Sequence, residues 1–364
     1  MKQTLRNFLC PQPKSKIKAG EGQLKGAYNF YTSSQIQSKF YHSATYTQPA
    51  LIFGTGGMAS VHYCNEPFST STDCLVMYGC HDAPLELIYY YLRSNMHLLQ
   101  DGFKGAGLQH ISKDYILNIN IDMPAPSLQE QITHQTRMVD AMINGKKQQI
   151  LSFDEAVKSR FIELFGTVKD NPYHFPTATL KEVCHKITDG KHGGCEQEAD
   201  SGYYFVGARE IYDGVIHYDT APQITYSDFA KDYRRCNIEQ GDMVIVNTGA
   251  TIGKSAIASS PLTERTLLQK SVALLKVKTD VISAEFLRYC YMANPSMYMV
   301  ESASAQPNLL LSKMNATVIY LPPLELQQQF AAFVEQTDKL KVAVQKSLDE
   351  TQLLFDSLLQ KYFG

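Results

Sequence analysis

No stretch of this chain strings together 18 apolar residues, so no helix long and greasy enough to cross a bilayer is expected. The start MKQTLRNFLCPQP is basic but lacks the apolar run of a secretory leader. Neither sign of charge is in excess, with 34 Lys and Arg against 36 Asp and Glu. That balance argues against a free-standing nucleic-acid binder, whose affinity normally comes from a basic surface releasing counterions. It leaves room for one that borrows charge from partners. The eight cysteines contain no Cys-x-x-Cys pair and no even, closely spaced framework. They are expected to be reduced thiols, without disulfides, in a soluble cytoplasmic protein that touches no membrane. Proline, found 15 times in all, is missing from 127–166 and from 324–364.

Those two proline-free stretches are copies of one unit. MPAPSLQEQITHQTRMVDAMINGKKQQILSFDEAVKSRFIELFG (123–166) and LPPLELQQQFAAFVEQTDKLKVAVQKSLDETQLLFDSLLQKYFG (321–364) superpose without a gap at an offset of 198 residues. Pro124 then pairs with Pro322, Gln131 with Gln329, Asp140 with Asp338, and Phe165 and Gly166 with Phe363 and Gly364. An internal repeat speaks to architecture more strongly than any single motif. Each copy carries apolar side chains at alternating steps of four and three, the seam of a helix underwound to about 3.5 residues per turn. The apolar seam positions are Ile132, Val139, Ile143, Ile150 and Val157 in the first copy, and Phe330, Val334, Val344, Leu348 and Phe355 in the second. Prolines open both units and glycines close them. A helix of about 40 residues is about 60 Å long, more than a compact domain buries as one element, so the two are expected to pack on each other as a helix-helix interface.

The repeat also marks the cut between domains: 1–122, the helix 123–166, then 167–321 and the helix 322–364. In the second domain YYFVGAREI (203–211), GVIHY (214–218), DMVIVN (242–247) and SVALLKV (271–277) read as short strands, and 283–293 as a helix. The first domain shows the same closing order in ALIFGTGG (50–57), DCLVMYG (73–79), a helix at 84–96 and SKDYILNINI, whose counterpart is SKMNATVIYL. The front parts differ in length. A shared frame with divergent fronts points to two recognition surfaces for two targets; duplication followed by drift in a structural scaffold is the blander reading.

Three motifs fail, two on their spacing and one for want of a companion cluster. GATIGKS (249–255) has three residues between its glycines where a phosphate loop needs four, so it reads as a glycine turn between strands that exposes Thr248, Lys254 and, in the other half, Thr55. FGTGG (53–57) resembles a methyl-donor loop, yet no Asp-Pro-Pro-Tyr or Asn-Pro-Pro-Tyr cluster follows. Cys184, His185, His192 and Cys195 match no standard zinc spacing, so no metal is expected. Donor side chains gather in loops instead: Lys191 and His192, Arg209, Lys231 with Arg234 and Arg235, Gln269 with Lys270, and Gln306 with Asn308. Arg and Lys can read guanine, and Asn or Gln adenine, in a major groove. Each alone is more often a solvated surface residue; together they favour a DNA-facing rim.

The hinge PPLELQQQ, the helix ends KSRFIELFG and QLLFDSLLQKYFG, and the segments ITDGKHGG (187–194), YYFVGAREI and GDMVIVNTGATIGKSAI together resemble the specificity subunit of Type I restriction-modification enzymes. The likeness covers nearly the whole chain and is weakest over 1–48. It implies an α+β protein with two mixed α/β target-recognition domains, each followed by a long helix, the helices pairing as an antiparallel coiled coil that spaces the two halves of a split, asymmetric double-stranded DNA site. It further implies no catalysis and no cofactor in this chain. Two methyltransferase subunits holding S-adenosylmethionine, and two ATP- and Mg-dependent translocating endonuclease subunits, would be the partners. On that footing the second domain is expected to read DNA through loops around Lys191, His192, Arg209, Thr248, Lys254, Lys270 and Asn308, and the first through Ser33, Ser34, Lys39, Thr55 and Lys104. The alternatives are a specificity subunit of a methylation-only system and a coiled-coil adaptor that binds proteins only.

Overall fold

The structure is a computed structural model, which describes residues 2–105, 107, 109–167, 170–294, 297 and 309–364. It divides into two compact units, Met1–Gln149 with Val344–Gly364, and Ile150–Ala343. The division crosses both long helices, Pro126–Phe165 and Leu324–Phe363, each 40 residues.

Each unit is built on the same sheet. In the first, Leu9–Pro11, Cys74–Gly79, Ala50–Gly54 and Ser60–Cys64 lie side by side in that order; in the second, Cys184–Asp189, Val272–Val277, Met243–Val246 and Ser255–Ile257 do the same, antiparallel throughout. The central strands are continuous apolar runs because both faces are covered; every residue of Ala50–Gly54 and of Met243–Val246 is buried. A parallel pair accompanies each sheet, Tyr28–Tyr31 with Phe68–Thr70 and Tyr204–Val206 with Thr266–Leu268. An antiparallel pair leads into each long helix, Lys2–Thr4 with Asn120–Asp122 and Thr177–Thr179 with Val318–Tyr320. Loop bonds repeat too. Ile111 N donates to Thr55 O at 3.2 Å and Leu309 N to Asn247 O at 2.7 Å; Cys80 N donates to Phe8 O and Lys278 N to Val183 O, both at 2.8 Å.

The units part company between the parallel pair and the central strand. There the second carries a two-strand hairpin, Ile211–Tyr212 with Val215–Ile216, and the helix Tyr226–Cys236. Sequence reading missed that helix. It is capped by Thr225, whose side chain accepts from Asp228 N, and ends on Asn237 in the left-handed region, but five of its eleven residues are charged and only Phe229 and Cys236 are buried, so its apolar stripe, Phe229, Tyr233 and Cys236, is narrow.

The cysteine expectation needs correction. Cys10 and Cys80 form a disulfide with Cα atoms 5.7 Å apart, 70 residues apart in sequence. Pairing of Leu9–Pro11 with Cys74–Gly79, in which Leu9 faces Gly79, brings the two together; no local spacing announces a bond that a strand pairing creates. The other six cysteines are free, and all but Cys195 are buried.

Within each unit the long-helix segments run antiparallel. In the first, Tyr362 Oη donates to Gln135 Oε1 at 2.6 Å, and Lys146 Nζ donates to Ser347 Oγ at 2.6 Å and Thr351 Oγ1 at 2.8 Å. In the second, Lys341 pairs with Asp154 at 2.7 Å. The helix starts repeat one device: Gln129 Nε2 donates to Pro124 O at 3.0 Å and Gln327 Nε2 to Pro322 O at 2.9 Å. Ile132, Val139, Ile143, Val157, Phe330, Val334, Leu348 and Phe355 are buried, whereas Ile150 and Val344 are half-buried. Toward the end of each helix burial slides one residue, onto Phe161 and Phe165 and onto Leu359 and Phe363. A 3.6-residue helix drifts past a 3.5-residue pattern in this way, and it does so equally in both copies. The drift lets the helix ends join the domain cores: Phe165 lies 4.8 Å from Phe286 and 5.6 Å from Phe330 between ring centres, and Phe363 lies 5.7 Å from Tyr91.

Candidate nucleic-acid interface

The frame gathers loops at the same end of each sheet. In the second unit Ser271 is the hub. Its carbonyl accepts from Asn247 N at 3.0 Å and its Oγ from Ala208 N at 3.3 Å, while Lys270 N donates to Lys191 O at 2.9 Å. With the Leu309–Asn247 bond, these contacts draw together the segments at 190–192, 207–210, 247–254, 269–271 and 309. Close approach depends on glycine at one point, where a Cβ on Gly190 would lie 2.2 Å from Leu268 O.

Three of the cations expected on this rim are exposed, Arg209, Lys254 and Lys270, and none has an ion-pair partner among the described residues. Lys191 is otherwise engaged. Its side chain is only 13% exposed and its ammonium lies 2.6 Å from Asp232 and 3.9 Å from Asp228; the hydrogen bond to Asp232 raises its pKa above the usual lysine value. His192 is half-exposed, with Nε2 3.0 Å from Asp189 Oδ2. Asp189 also accepts from the Arg235 guanidinium through its carboxylate and its carbonyl. Burial pushes the Asp189 carboxyl up, but the hydrogen bonds from Arg235 and His192 outweigh it and hold the group below the usual carboxylate range. Thr248 is half-buried and bonds Asn247 Oδ1 at 3.2 Å; Asn308 and Gln306 lie outside the described residues. GATIGKS is the turn of a hairpin, with Gly249 and Gly253 at positive φ. Cys184 is buried and His185 exposed, and among the described residues no three His, Cys, Asp or Glu side chains gather as metal ligands.

In the first unit, Thr55 and Ser33 both donate to Asp73 O, at 2.9 and 2.8 Å, and Thr55 is buried. Ser34 is exposed, its Oγ accepting from Ile36 N at 3.1 Å and its carbonyl taking His62 Nε2 at 2.9 Å. Burial lowers the His62 pKa. Lys39 is half-buried and donates to Ala19 O at 2.9 Å, whereas Lys104 is exposed. Beside Thr55 runs a groove of about 720 Å³ lined by Gln12, Lys14, His110, Ser112 and Lys113 among others. Ser33 and Thr55 thus tie loops to the sheet, while Ser34 and Lys104 reach solvent. Sequence reading did not single out Gln35, Ile36, Met58 or His110, which carry no donor signature or belong to no motif.

A family model described as the Type I restriction modification DNA specificity domain matches residues 11–152 and 173–351. The chain belongs to this family. It is 21% identical over 298 residues to the Type I restriction enzyme MjaIX specificity subunit of Methanocaldococcus jannaschii, covering 76% of this chain and 67% of that protein. It is 23% identical over 191 residues to the EcoDI specificity subunit of Escherichia coli, covering 47% of this chain and 41% of that protein. The match thus spans less than half the length of the E. coli relative. The S subunit of a Type I restriction-modification system from M. genitalium superposes with a TM-score of 0.62 at 16% identity, covering 100% of this chain and 96% of that one. A chain from a study of complex assembly and conformational transition of the type I R-M system gives 0.50 at 16% identity, covering 100% and 97%. At that identity these two superpositions speak for the specificity-subunit fold. No described helix of this specificity-domain protein is long and apolar enough to cross a membrane.

Proposed function

We propose that this chain is the non-catalytic DNA-recognition subunit of a Type I restriction-modification complex, reading a bipartite, asymmetric site and positioning adenine methyltransferase and restriction subunits on it. The observation that carries the proposal is the duplicated frame with two unlike rims in a chain of this family. Residues 1–122 and 167–321 each read one half-site, and the helices 123–166 and 322–364 act as the spacer. Exposed Arg209, Lys254 and Lys270 supply donors for base edges or phosphates in the second half. S-adenosylmethionine, ATP and Mg belong to the partner subunits, and near-neutral charge suits a subunit whose partners also grip DNA.

The test is to co-express the chain with its neighbouring methyltransferase in a methylation-free host and map modified adenines across the genome. A split motif with a fixed non-specific gap is expected, and removing one heptad from each long helix is expected to shorten the gap and leave both half-sites intact. A stable complex that modifies nothing would favour a protein-only adaptor. Adding or withholding the endonuclease gene separates the restricting system from a methylation-only one.

A further inference from the structure

Loops that follow equivalent strands in the two units carry side chains of unlike character. After the strand Tyr28–Tyr31 the loop presents Ile36, 74% exposed, and the turn between Ala50–Gly54 and Ser60–Cys64 presents Met58, 66% exposed. After Tyr204–Val206 the matching loop presents Arg209, and the turn between Met243–Val246 and Ser255–Ile257 presents Lys254. Ile36 and Met58 ride on tied backbone. Gln35 Nε2 donates to Ala59 O at 2.9 Å, so each apolar residue adjoins one end of the same bond, and Ser60 Oγ donates to Ser33 O at 3.2 Å. Gly54 permits this approach, since a Cβ there would fall 2.8 Å from Ser33 Cα. A rigid turn that holds two large apolar side chains in water gains nothing inside its own unit. Ser34 and Gln35, next to Ile36 in the chain, are exposed and polar, so the apolar island is too small for a helix face and suits isolated apolar groups.

Resting on the reading that this rim faces DNA, we propose that Ile36 and Met58 are specificity determinants that recognise thymine through its C5 methyl group. That methyl is the one apolar group the base edges offer in the major groove. Covering it with an apolar side chain discriminates by about fourfold per methyl. The two halves then differ in kind: one selects partly by apolar contact, the other through Arg209 and Lys254.

Uracil is thymine without the methyl group, which gives a direct probe. Once the methylated motif is mapped, duplexes carrying it are made with uracil replacing thymine in one half-site at a time, sparing the thymine that faces the methylated adenine, and methylation by the complete methyltransferase complex is timed. Uracil in one half-site is expected to cost about fourfold per base. The Ile36→Ala, Met58→Ala double variant loses that sensitivity, Met58→Leu keeps it, and Lys254→Ala leaves it unchanged. No response of the unaltered complex to uracil overturns the proposal, as does an equal response in the double-alanine variant, or a mapped site with no thymine in either half beyond those facing methylated adenines. If no motif is methylated at all, the recognition reading fails, and this one with it.

Discussion

The two units share a strand order and a set of loop bonds, yet one closes a turn with Met58 and the other with Lys254, and one has Cys80 where the other has Lys278, each donating its backbone N–H to an equivalent carbonyl. Backbone geometry has been kept while side chains at the rim and at the sheet edge have gone separate ways. Folding and recognition therefore draw on different atoms: the frame on amides, carbonyls and buried apolar groups, the rim on what projects from it.

Substitutions can break that comparison at several levels. The largest effect is expected where a helix end enters a core. Phe165 is fully buried among Phe161, Phe286 and Phe330, and Phe165→Ala is expected to cost about 3–5 kcal/mol. Phe363→Ala, at the equivalent position but 6% exposed and with fewer rings around it, is expected to cost less; denaturant titration of each variant measures both. Next, reducing the Cys10–Cys80 disulfide, or Cys10→Ser with Cys80→Ser, is expected to remove about 3 kcal/mol from the first unit and nothing from the second. Hydrogen exchange resolved by unit reads that asymmetry. Third, Lys191→Ala strips Asp232 of its partner and is expected to lower stability of the second unit by about 1–2 kcal/mol, whereas Lys254→Ala is expected to leave thermal unfolding unchanged and to slow methylation of the site.

The smallest effect is an acid one. Folding depresses the Asp189 carboxyl, so its contribution is fully present above the ordinary carboxylate value and fades as pH falls through the lower folded value. Asp189→Asn is expected to flatten that part of the stability-pH curve of the second unit below about pH 4. A curve as steep as that of the unaltered protein would sink the assignment.

Much of the fold was legible because it is local or repeated. Period and proline spacing place both long helices, and the offset of 198 pairs their residues. Runs of Val, Ile and Leu bounded by turn residues locate the central strands. What was not legible depends on distant partners. The Cys10–Cys80 bond arises from strands 70 residues apart. Lys191 reads as a free donor until the helix Tyr226–Cys236 delivers Asp232 to it. Thr55 and Ser33 read as exposed donors until Asp73 O takes both hydroxyls. Ile36 and Met58 escape a search for hydrogen-bonding groups because they have none to offer.

The loop bonds Ile111 to Thr55 and Leu309 to Asn247 join main chain to main chain. An amide donates to a carbonyl whatever side chain, proline apart, either residue bears, so these bonds do not depend on which side chains project from the loops they join. The exposed residues that project beside them, Ile36 and Met58 in one unit and Arg209 and Lys254 in the other, can be replaced without renegotiating the fold, which makes that part of the rim a surface on which new target sequences can be tried at little thermodynamic risk.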